Sequence, residues 1–184
     1  QFGSLDGILR VRAGYCGGNK PEPTYYDLVD HTEAISLDYD PDIITYEDLL
    51  GVFWRNHNPA RNQPKRQYWN AVFYRSEKQR IFAEESKERV ASEIGKVETE
   101  IIPVKEFTYA EGYHQKYYLT QFRELRAFLE ANYPDTKSLA DSTVAARLNA
   151  ALFSGFGDPR RIVEEEIDRY DLPDDLQQSV LNRL

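Results

Sequence analysis

The sequence predicts an α/β fold, arranged as a two-layer α+β sandwich in which helices flank a mixed sheet, with a helical extension at the C-terminal end. Segments with the two-residue period of strands alternate with segments of helical period up to about Leu119. Four helix-like segments follow, separated by proline and glycine. The 184 residues are 41% hydrophobic, enough for one well-packed core. We therefore expect two parts, residues 1–119 and residues 120–184.

The first two strands are predicted on either side of a turn-rich segment. Residues 8–13 alternate apolar with basic side chains and run into a glycine cluster at residues 14–18. After two prolines, residues 24–30 can form a short helical turn, and residues 34–40 return to alternation. Glu33 therefore lies at the entrance to the second strand.

The clearest helix signal of the first half follows the second strand. Thr45 and Asp48 have the spacing of a capping box, and apolar residues then recur at helical spacing through Asn56. Residues 67–75 alternate again and are rich in β-forming side chains, so we expect Tyr68 to begin a strand.

A surface helix and one more strand complete the alternating part. Residues 76–94 are charge-rich with one apolar side, and Gly95 supplies a helix stop. Residues 99–104 predict a strand in which Pro103 indicates an edge or an end, and residues 107–118 predict a loop that leads toward helix. The helix-like segments of the extension are residues 121–134, 143–156, 158–173 and 174–184.

Composition excludes several classes of function. The net charge of −8, with no basic block, argues against nucleic-acid binding. No apolar run approaches the roughly 20 residues of a membrane span. One cysteine cannot form an internal disulfide, so a cytoplasmic location is expected. Because the sequence begins at Gln1 and has no methionine, we expect a further N-terminal piece, which leaves organelle targeting and secretion open.

Metal and cofactor motifs are not recognisable. The three histidines and single cysteine have no spacing typical of a zinc site. The Gly-Tyr-Cys-Gly-Gly segment lacks the spacing and the lysine of a phosphate-binding loop. We therefore expect neither a metal nor an organic cofactor.

Three residues are candidates for chemistry from the pattern alone. Glu33 precedes a strand with an apolar set, so partial burial could raise its pKa and let it donate a proton; a solvent-facing strand residue is the alternative. Tyr25 and Tyr68 lie at junctions between loops and regular elements, where a phenol can expose its hydroxyl while its ring packs. Considered alone, each of these tyrosines is interpreted as structural.

Five segments together resemble the A-type peptide methionine sulfoxide reductases, in the same order and with similar spacing. They are GYCGGNKPEPTYYDL, DHTEAISLDYDP, ITYEDLLGVFWRNHNP, QYWNAVFY and YAEGYHQKYY, and the resemblance covers about Phe2 to Leu119. It implies an oxidoreductase of protein repair under oxidative stress, which reduces the S-epimer of methionine sulfoxide, free or in peptides, with electrons from thioredoxin or a similar dithiol.

The resemblance also implies roles for individual residues. Glu33 matches the acid that protonates the sulfoxide oxygen, and Tyr25 and Tyr68 match the tyrosines that bind this oxygen. His114 and Tyr117 match residues that the family places beside the substrate pocket.

The sequence departs from the family in ways that affect the site. The family's nucleophile, a cysteine or selenocysteine in Gly-Cys-Phe-Trp-Gly, would fall just upstream of Gln1. The loop at residues 60–66 is shorter than usual and lacks an aspartate, and Trp69 and Asn70 replace the usual Arg-Ser. These departures leave a second interpretation open, a non-catalytic relative that binds a small sulfoxide or a protein partner.

Cys16 has two interpretations. The family's usual C-terminal resolving cysteine is absent, and the glycine-rich loop that carries Cys16 borders the active site in relatives. Cys16 is therefore a candidate resolving thiol toward an oxidised nucleophile, with an inert buried thiol as the alternative.

Overall fold

The computed structural model describes residues 1–153 and 159–184, and it has the mixed α/β fold that the sequence predicts. The strands are β1 (Ile8–Cys16), β2 (Thr32–Tyr39), β3 (Ala71–Tyr74), β4 (Glu100–Pro103) and β5 (Phe107–Tyr109). The helices are α1 (Tyr46–Arg55), α2 (Glu77–Ile94), α3 (Tyr117–Thr120), α4 (Arg126–Asn132), α5 (Thr136–Asp141), α6 (Thr143–Ala151), α7 (Pro159–Glu166) and α8 (Asp174–Arg183).

The first sheet has three strands in the order β2-β1-β5. Strand β5 pairs antiparallel with the end of β1, where Gly14 lies opposite Tyr109. A side chain on Gly14 would collide with the Phe107 ring and the Thr108 carbonyl, so glycine permits this close approach. The prediction of a loop over residues 107–118 is wrong at its start, where residues 107–109 form β5. A strand of three residues is too short to show the two-residue alternation from which strands are predicted.

The second sheet is a parallel pair, β3 with β4, rather than part of one mixed sheet. Parallel neighbours need a crossover, and α2 supplies it. Gly95 ends α2 at φ +85°, as predicted, and Ser76, predicted as the first residue of the helix, instead caps its start. The capping box of Thr45 and Asp48 begins α1, also as predicted. Strand β4 ends at Pro103, and just beyond it the Val104 N–H donates to the Tyr74 carbonyl of β3 at 2.8 Å.

The chain divides into two compact units, which we number in the order that they begin. Unit 1 consists of Gln1–Ala13, Ser36–Asp40 and Glu111–Leu184. Unit 2 consists of Gly14–Ile35 and Pro41–Ala110. The domain boundary that the sequence predicts after residue 119 falls within the last segment of unit 1 and stays a prediction.

Helices build most of the core of unit 1. Leu119, Leu125, Leu148, Val163 and Val180 are buried in one cluster from α3 to α8. Helix α5 is too short for a clear period, and the sequence pattern does not predict it. The end of the predicted helix at residues 143–156 and the start of the one at 158–173 lie partly outside the described residues.

Side chains of unit 1 satisfy one edge of β1 in place of a neighbouring strand. Carbonyl groups of alternate strand residues point to the same edge, and three of them accept hydrogen bonds from the C-terminal part of the unit. The donors are Thr143 to Leu9, Lys116 to Val11 and Gln115 to Ala13, and the Gln115 amide oxygen also accepts the Ala13 N–H.

No helix in the described part of the chain is both long and apolar enough to span a bilayer.

Candidate functional site

The Tyr25 and Tyr68 hydroxyls lie together in unit 2 and are hydrogen-bonded to each other. Tyr25 is half-buried and Tyr68 is 45% exposed, so both side chains pack in part and remain in part accessible to solvent. Tyr25 lies in a tight turn closed by backbone hydrogen bonds between Thr24 and Asp27. The short helical turn predicted for this segment is therefore wrong, because the bridge between these residues closes the chain too early for a helix.

Tyr68 ends a single 3-10 turn, Arg66–Tyr68, and does not begin a strand as predicted. The Thr32 hydroxyl donates to the Arg66 carbonyl at 3.1 Å and fixes the turn against the start of β2. The Arg66 guanidinium lies 4.2 Å from the centre of the Trp69 ring. These contacts hold the backbone in a turn, and the strand begins only at Ala71.

Glu33 is the second residue of β2, and its side chain is exposed. Of the two interpretations of Glu33, partial burial in an apolar environment is therefore wrong, and a solvent-facing strand residue is confirmed. Side chains of alternate strand residues share a face, and Ile35, the next on this face, is itself 48% exposed. The face is therefore open at the start of the strand. The Gln67 amide donates to Glu33 Oε1 at 2.6 Å.

The pKa of Tyr25 is raised by its surroundings. The hydrogen bond with Tyr68 and the neighbouring phenol's charge are the main causes, followed by burial and the negative charge of Glu33, while Lys65 opposes the shift. Because a raised pKa keeps the phenol protonated, Tyr25 remains a hydrogen-bond donor well above neutral pH. Tyr25, Tyr68 and Glu33 thus form one cluster, which we call the acid–phenol cluster.

Asparagines order the loop that lacks the family's aspartate. The Asn70 N–H donates to Asn62 Oδ1 at 2.7 Å, and the Asn70 side chain donates to the Asn58 and Arg61 carbonyls. Asn62 is tied in turn to Glu98 by its N–H and its side chain. Asn70, one of the departures from the family pattern, therefore serves to fix the chain that leads into the Arg66–Tyr68 turn.

Cys16 is buried at the end of β1. Its side chain is 1% exposed, and its thiol donates to the Glu106 carbonyl at 3.2 Å. Burial raises the pKa of the thiol, while a hydrogen bond from Gly17 and the charge of Arg75 oppose the rise. Both features favour the neutral thiol, so thiol exchange at Cys16 requires local opening of the strand pair.

His114 and Tyr117, predicted to lie beside the pocket, belong to unit 1. The His114 ring lies 4.3 Å from the ring of Tyr113. Tyr117 is 55% exposed and packs edge-on against Tyr118. Their role in substrate binding stays a prediction.

The sequence did not single out Gln67 or Arg66 as site residues. Both residues come directly before Tyr68 in the sequence, and this was the one feature that pointed to them. Neither belongs to a hydrophobic period or to a recognisable sequence motif. Among the described residues, no group of three or more histidine, cysteine, aspartate or glutamate side chains is arranged to hold a metal ion.

Comparison with known proteins gives consistent matches. The family model of peptide methionine sulfoxide reductase matches residues 1–143. A peptide methionine sulfoxide reductase of Drosophila melanogaster is 41% identical over 156 residues, which cover 82% of this chain and 61% of the relative. A relative in Methanococcus maripaludis, named peptide methionine sulfoxide reductase MsrA, is 39% identical over 130 residues, covering 64% of this chain and 82% of the relative. The chain thus spans about three fifths of the fly protein.

Solved structures agree with the sequence matches. Reduced Mxr1 from Saccharomyces cerevisiae aligns with a TM-score of 0.58 at 27% identity, covering 65% of this chain and 74% of the yeast chain. Methionine sulfoxide reductase A of Corynebacterium diphtheriae aligns with a TM-score of 0.56 at 27% identity, covering 65% of this chain and 66% of the bacterial chain.

Proposed function

Because this chain belongs to the peptide methionine sulfoxide reductase family, we propose that it carries the acid side of an active site that reduces methionine S-sulfoxide, free or in peptides, to methionine. Glu33 is the proton donor in this proposal, and Tyr25 and Tyr68 bind the sulfoxide oxygen. The nucleophile in this proposal is a cysteine or selenocysteine, as the resemblance to the family implies.

One observation carries the proposal: Tyr68 meets Tyr25 and Glu33, which precede it by more than 30 residues, in the acid–phenol cluster. Two hydroxyls bonded to each other can both turn toward a third oxygen that arrives beside them. A sulfoxide oxygen becomes more basic as its sulfur is attacked, so donors aimed at it stabilise the transition state more than the bound substrate.

The chemistry needs a proton as well as hydrogen bonds. Attack by the nucleophile on the substrate sulfur transfers the oxygen to the enzyme, and a proton from Glu33 prevents a bare oxyanion from forming. Two thiols then return the oxidised nucleophile to its starting state with release of water. Overall, one sulfoxide and two thiols give one thioether, one disulfide and one water.

The exposure of Glu33 in this chain bears directly on the proton donor's role. An acid works best when its surroundings favour the neutral form, and water favours the charged form. We propose that the segment bearing the nucleophile covers this face of β2 in the complete protein. The reductant in this proposal is thioredoxin or a similar dithiol, and the location is the cytoplasm.

The same exposure favours a second candidate, a non-catalytic relative that binds a small sulfoxide or a protein partner through this face. The two candidates differ in turnover. A binder retains the acid–phenol cluster but consumes no sulfoxide in the presence of thiols.

The test is a reduction assay with the complete protein, dithiothreitol and a peptide that contains methionine sulfoxide of known configuration. We expect loss of the S-epimer only, and a fall on the order of 100- to 1,000-fold in Glu33→Gln, because that variant removes the proton donor and keeps the side-chain shape. Glu47→Gln, at an exposed position in α1, is the matched control. If the Glu33→Gln variant turns over the S-epimer as fast as the wild type does, Glu33 is not the proton donor.

A further inference from the structure

We propose that Gln67 is a positioning residue for Glu33, which holds one carboxyl oxygen so that the transferable proton is carried by the other. The Gln67 amide nitrogen lies 2.6 Å from Glu33 Oε1. Glu33 Oε2 has no hydrogen-bond partner in the described part of the chain, so it is the oxygen left to face a substrate. The catalytic meaning of this inference rests on the proposed function.

The backbone places Gln67 for this contact. Two successive residues of β2 meet two successive residues of the Arg66–Tyr68 turn: Thr32 donates to the Arg66 carbonyl at 3.1 Å, and Gln67 donates to Glu33. Thr32 is 1% exposed, so the first of these contacts is partly buried and anchors the second. The same turn carries Tyr68 into the acid–phenol cluster.

Arg66 ties the turn to β4 as well as to the nearby Trp69. Its guanidinium forms an ion pair with Glu100 at 2.9 Å and stacks over the Trp69 ring. A planar guanidinium can make both contacts at once, which a lysine could not. The side chain of Gln67 therefore projects from a turn that is held on three sides, by Thr32, by Glu100 and by Trp69.

The chemistry of a carboxyl group explains why one fixed oxygen matters. A protonated carboxyl has one O–H donor and one carbonyl acceptor, and a carboxylate has two acceptors. An amide N–H at Oε1 is satisfied only if Oε1 is an acceptor, so the proton of the neutral acid resides on Oε2. On an exposed side chain, without this contact, the carboxyl group is free to rotate and the proton is shared between both oxygens.

The hydrogen bond has a test that does not depend on activity. Nuclear magnetic resonance of the chain follows the side-chain amide of Gln67 as pH is varied. We expect this resonance to move with the titration of the Glu33 carboxyl and to stay still in Glu33→Gln. Gln63, which is exposed in the same loop, provides the internal reference. A Gln67 resonance that moves no more than that of Gln63 would overturn the proposal.

A kinetic test asks whether the contact positions the acid. In the complete protein, Gln67→Leu keeps the side chain's size and removes its donor, so we expect kcat for the S-sulfoxide to fall about 100-fold with KM unchanged. Gln63→Leu should leave both constants as in the wild type. A merely structural role would lower stability or raise KM instead, and that result would count against the proposal.

Gln67→Glu gives a signature in the pH profile. When the carboxyl group that this substitution introduces is protonated, it can donate to Glu33 as the amide does, while two carboxylates repel each other. We therefore expect turnover of this variant to approach that of the wild type at acid pH and to fall more steeply as pH rises. A profile parallel to that of Gln67→Leu would overturn the proposal.

Absence of reduction even in the wild type, with the Gln67 resonance still following Glu33, would instead refute the proposed function.

Discussion

The hydroxyl groups of Tyr25 and Tyr68 are hydrogen-bonded to each other, and the negative charge of Glu33 acts on Tyr25. One tyrosine comes from a tight turn after Pro23, and the other from a 3-10 turn before β3. Both turns are fixed by contacts of their own, so the hydroxyls meet without a substrate present. The acid–phenol cluster is therefore preorganised, which is the condition for electrostatic stabilisation at low reorganisation cost.

Cys16 is predicted to react slowly as a thiol in the native protein. Its side chain is 1% exposed and its pKa is raised by burial, so both access and thiolate content are low. Labelling with a chromogenic disulfide should be slow in buffer and fast in urea. Fast native labelling, or a mixed disulfide at Cys16 during turnover, would favour the resolving-thiol interpretation over the buried thiol.

Asp38 should make the protein less stable in acid. The Arg12 guanidinium holds it with two hydrogen bonds of 2.9 and 2.7 Å and, with help from Arg10, lowers its pKa to about 2. A lowered pKa gives stability that is present above about pH 4 and is lost as pH falls toward 2. We expect a loss of about 1 kcal/mol, because solvent screens this partly exposed group.

The measurement for Asp38 is urea unfolding at a series of pH values. Asp38→Asn should remove this part of the acid dependence, whereas Asp168→Asn, at an exposed position, should keep it. An Asp38→Asn protein with the wild-type acid dependence would contradict the prediction.

Lys116 should make the protein more stable as pH rises into the alkaline range. It is 5% exposed, and burial lowers its pKa to about 8, reinforced by Arg12 and opposed by Asp141. Between about pH 8 and about pH 10.4 the unfolded state binds this proton and the folded state does not, so stability increases with pH. The contribution is about 3 kcal/mol at most.

Comparison of variants isolates the lysine from other groups that titrate in this range. Lys116→Met should lose the alkaline gain in the free energy of unfolding, and the exposed control Lys137→Met should retain it. Equal pH dependence in the two variants would show that Lys116 is not responsible.

Arg147 should contribute strongly to stability because it is buried and bonded to the start of the chain. Its Nη1 donates to the Gly3 and Leu5 carbonyls at 2.9 and 2.5 Å, and its Nε lies 3.5 Å from Glu166. Arg147→Met leaves these acceptors without a donor, so we expect a loss of about 2–3 kcal/mol in urea unfolding. Arg161→Met, which breaks an exposed ion pair with Glu165, should change stability by less than about 1 kcal/mol.

Local signals at the ends of helices and strands predicted the structure well. The capping box of Thr45, the glycine stop of α2 and the strand that ends at Pro103 are all local signals, and all are confirmed. The patterns around Tyr25 and Tyr68 predict helix and strand, whereas both residues lie in turns. Their conformations depend on contacts from distant segments, such as Thr32 with Arg66, which no local pattern contains.

The environment of Glu33 shows the limit of pattern for a candidate site. Alternation placed Glu33 correctly at the entrance to β2, but it cannot tell whether anything covers that face of the strand. No sequence pattern pointed to Gln67. Its contact with Glu33 depends on the Arg66–Tyr68 turn, which brings the Gln67 amide nitrogen to 2.6 Å from Glu33 Oε1.

A double-mutant cycle of Tyr25→Phe and Tyr68→Phe, measured as kcat/KM for the S-sulfoxide with the complete protein, tests most directly whether both phenols serve one oxygen. Tyr26→Phe, an 89% exposed neighbour, is the control. We expect each single change to cost on the order of 100-fold. The double change should cost clearly less than the product of the two, because the hydroxyls act as a unit. Losses that multiply fully, or single variants that keep wild-type turnover, would contradict a shared sulfoxide oxygen.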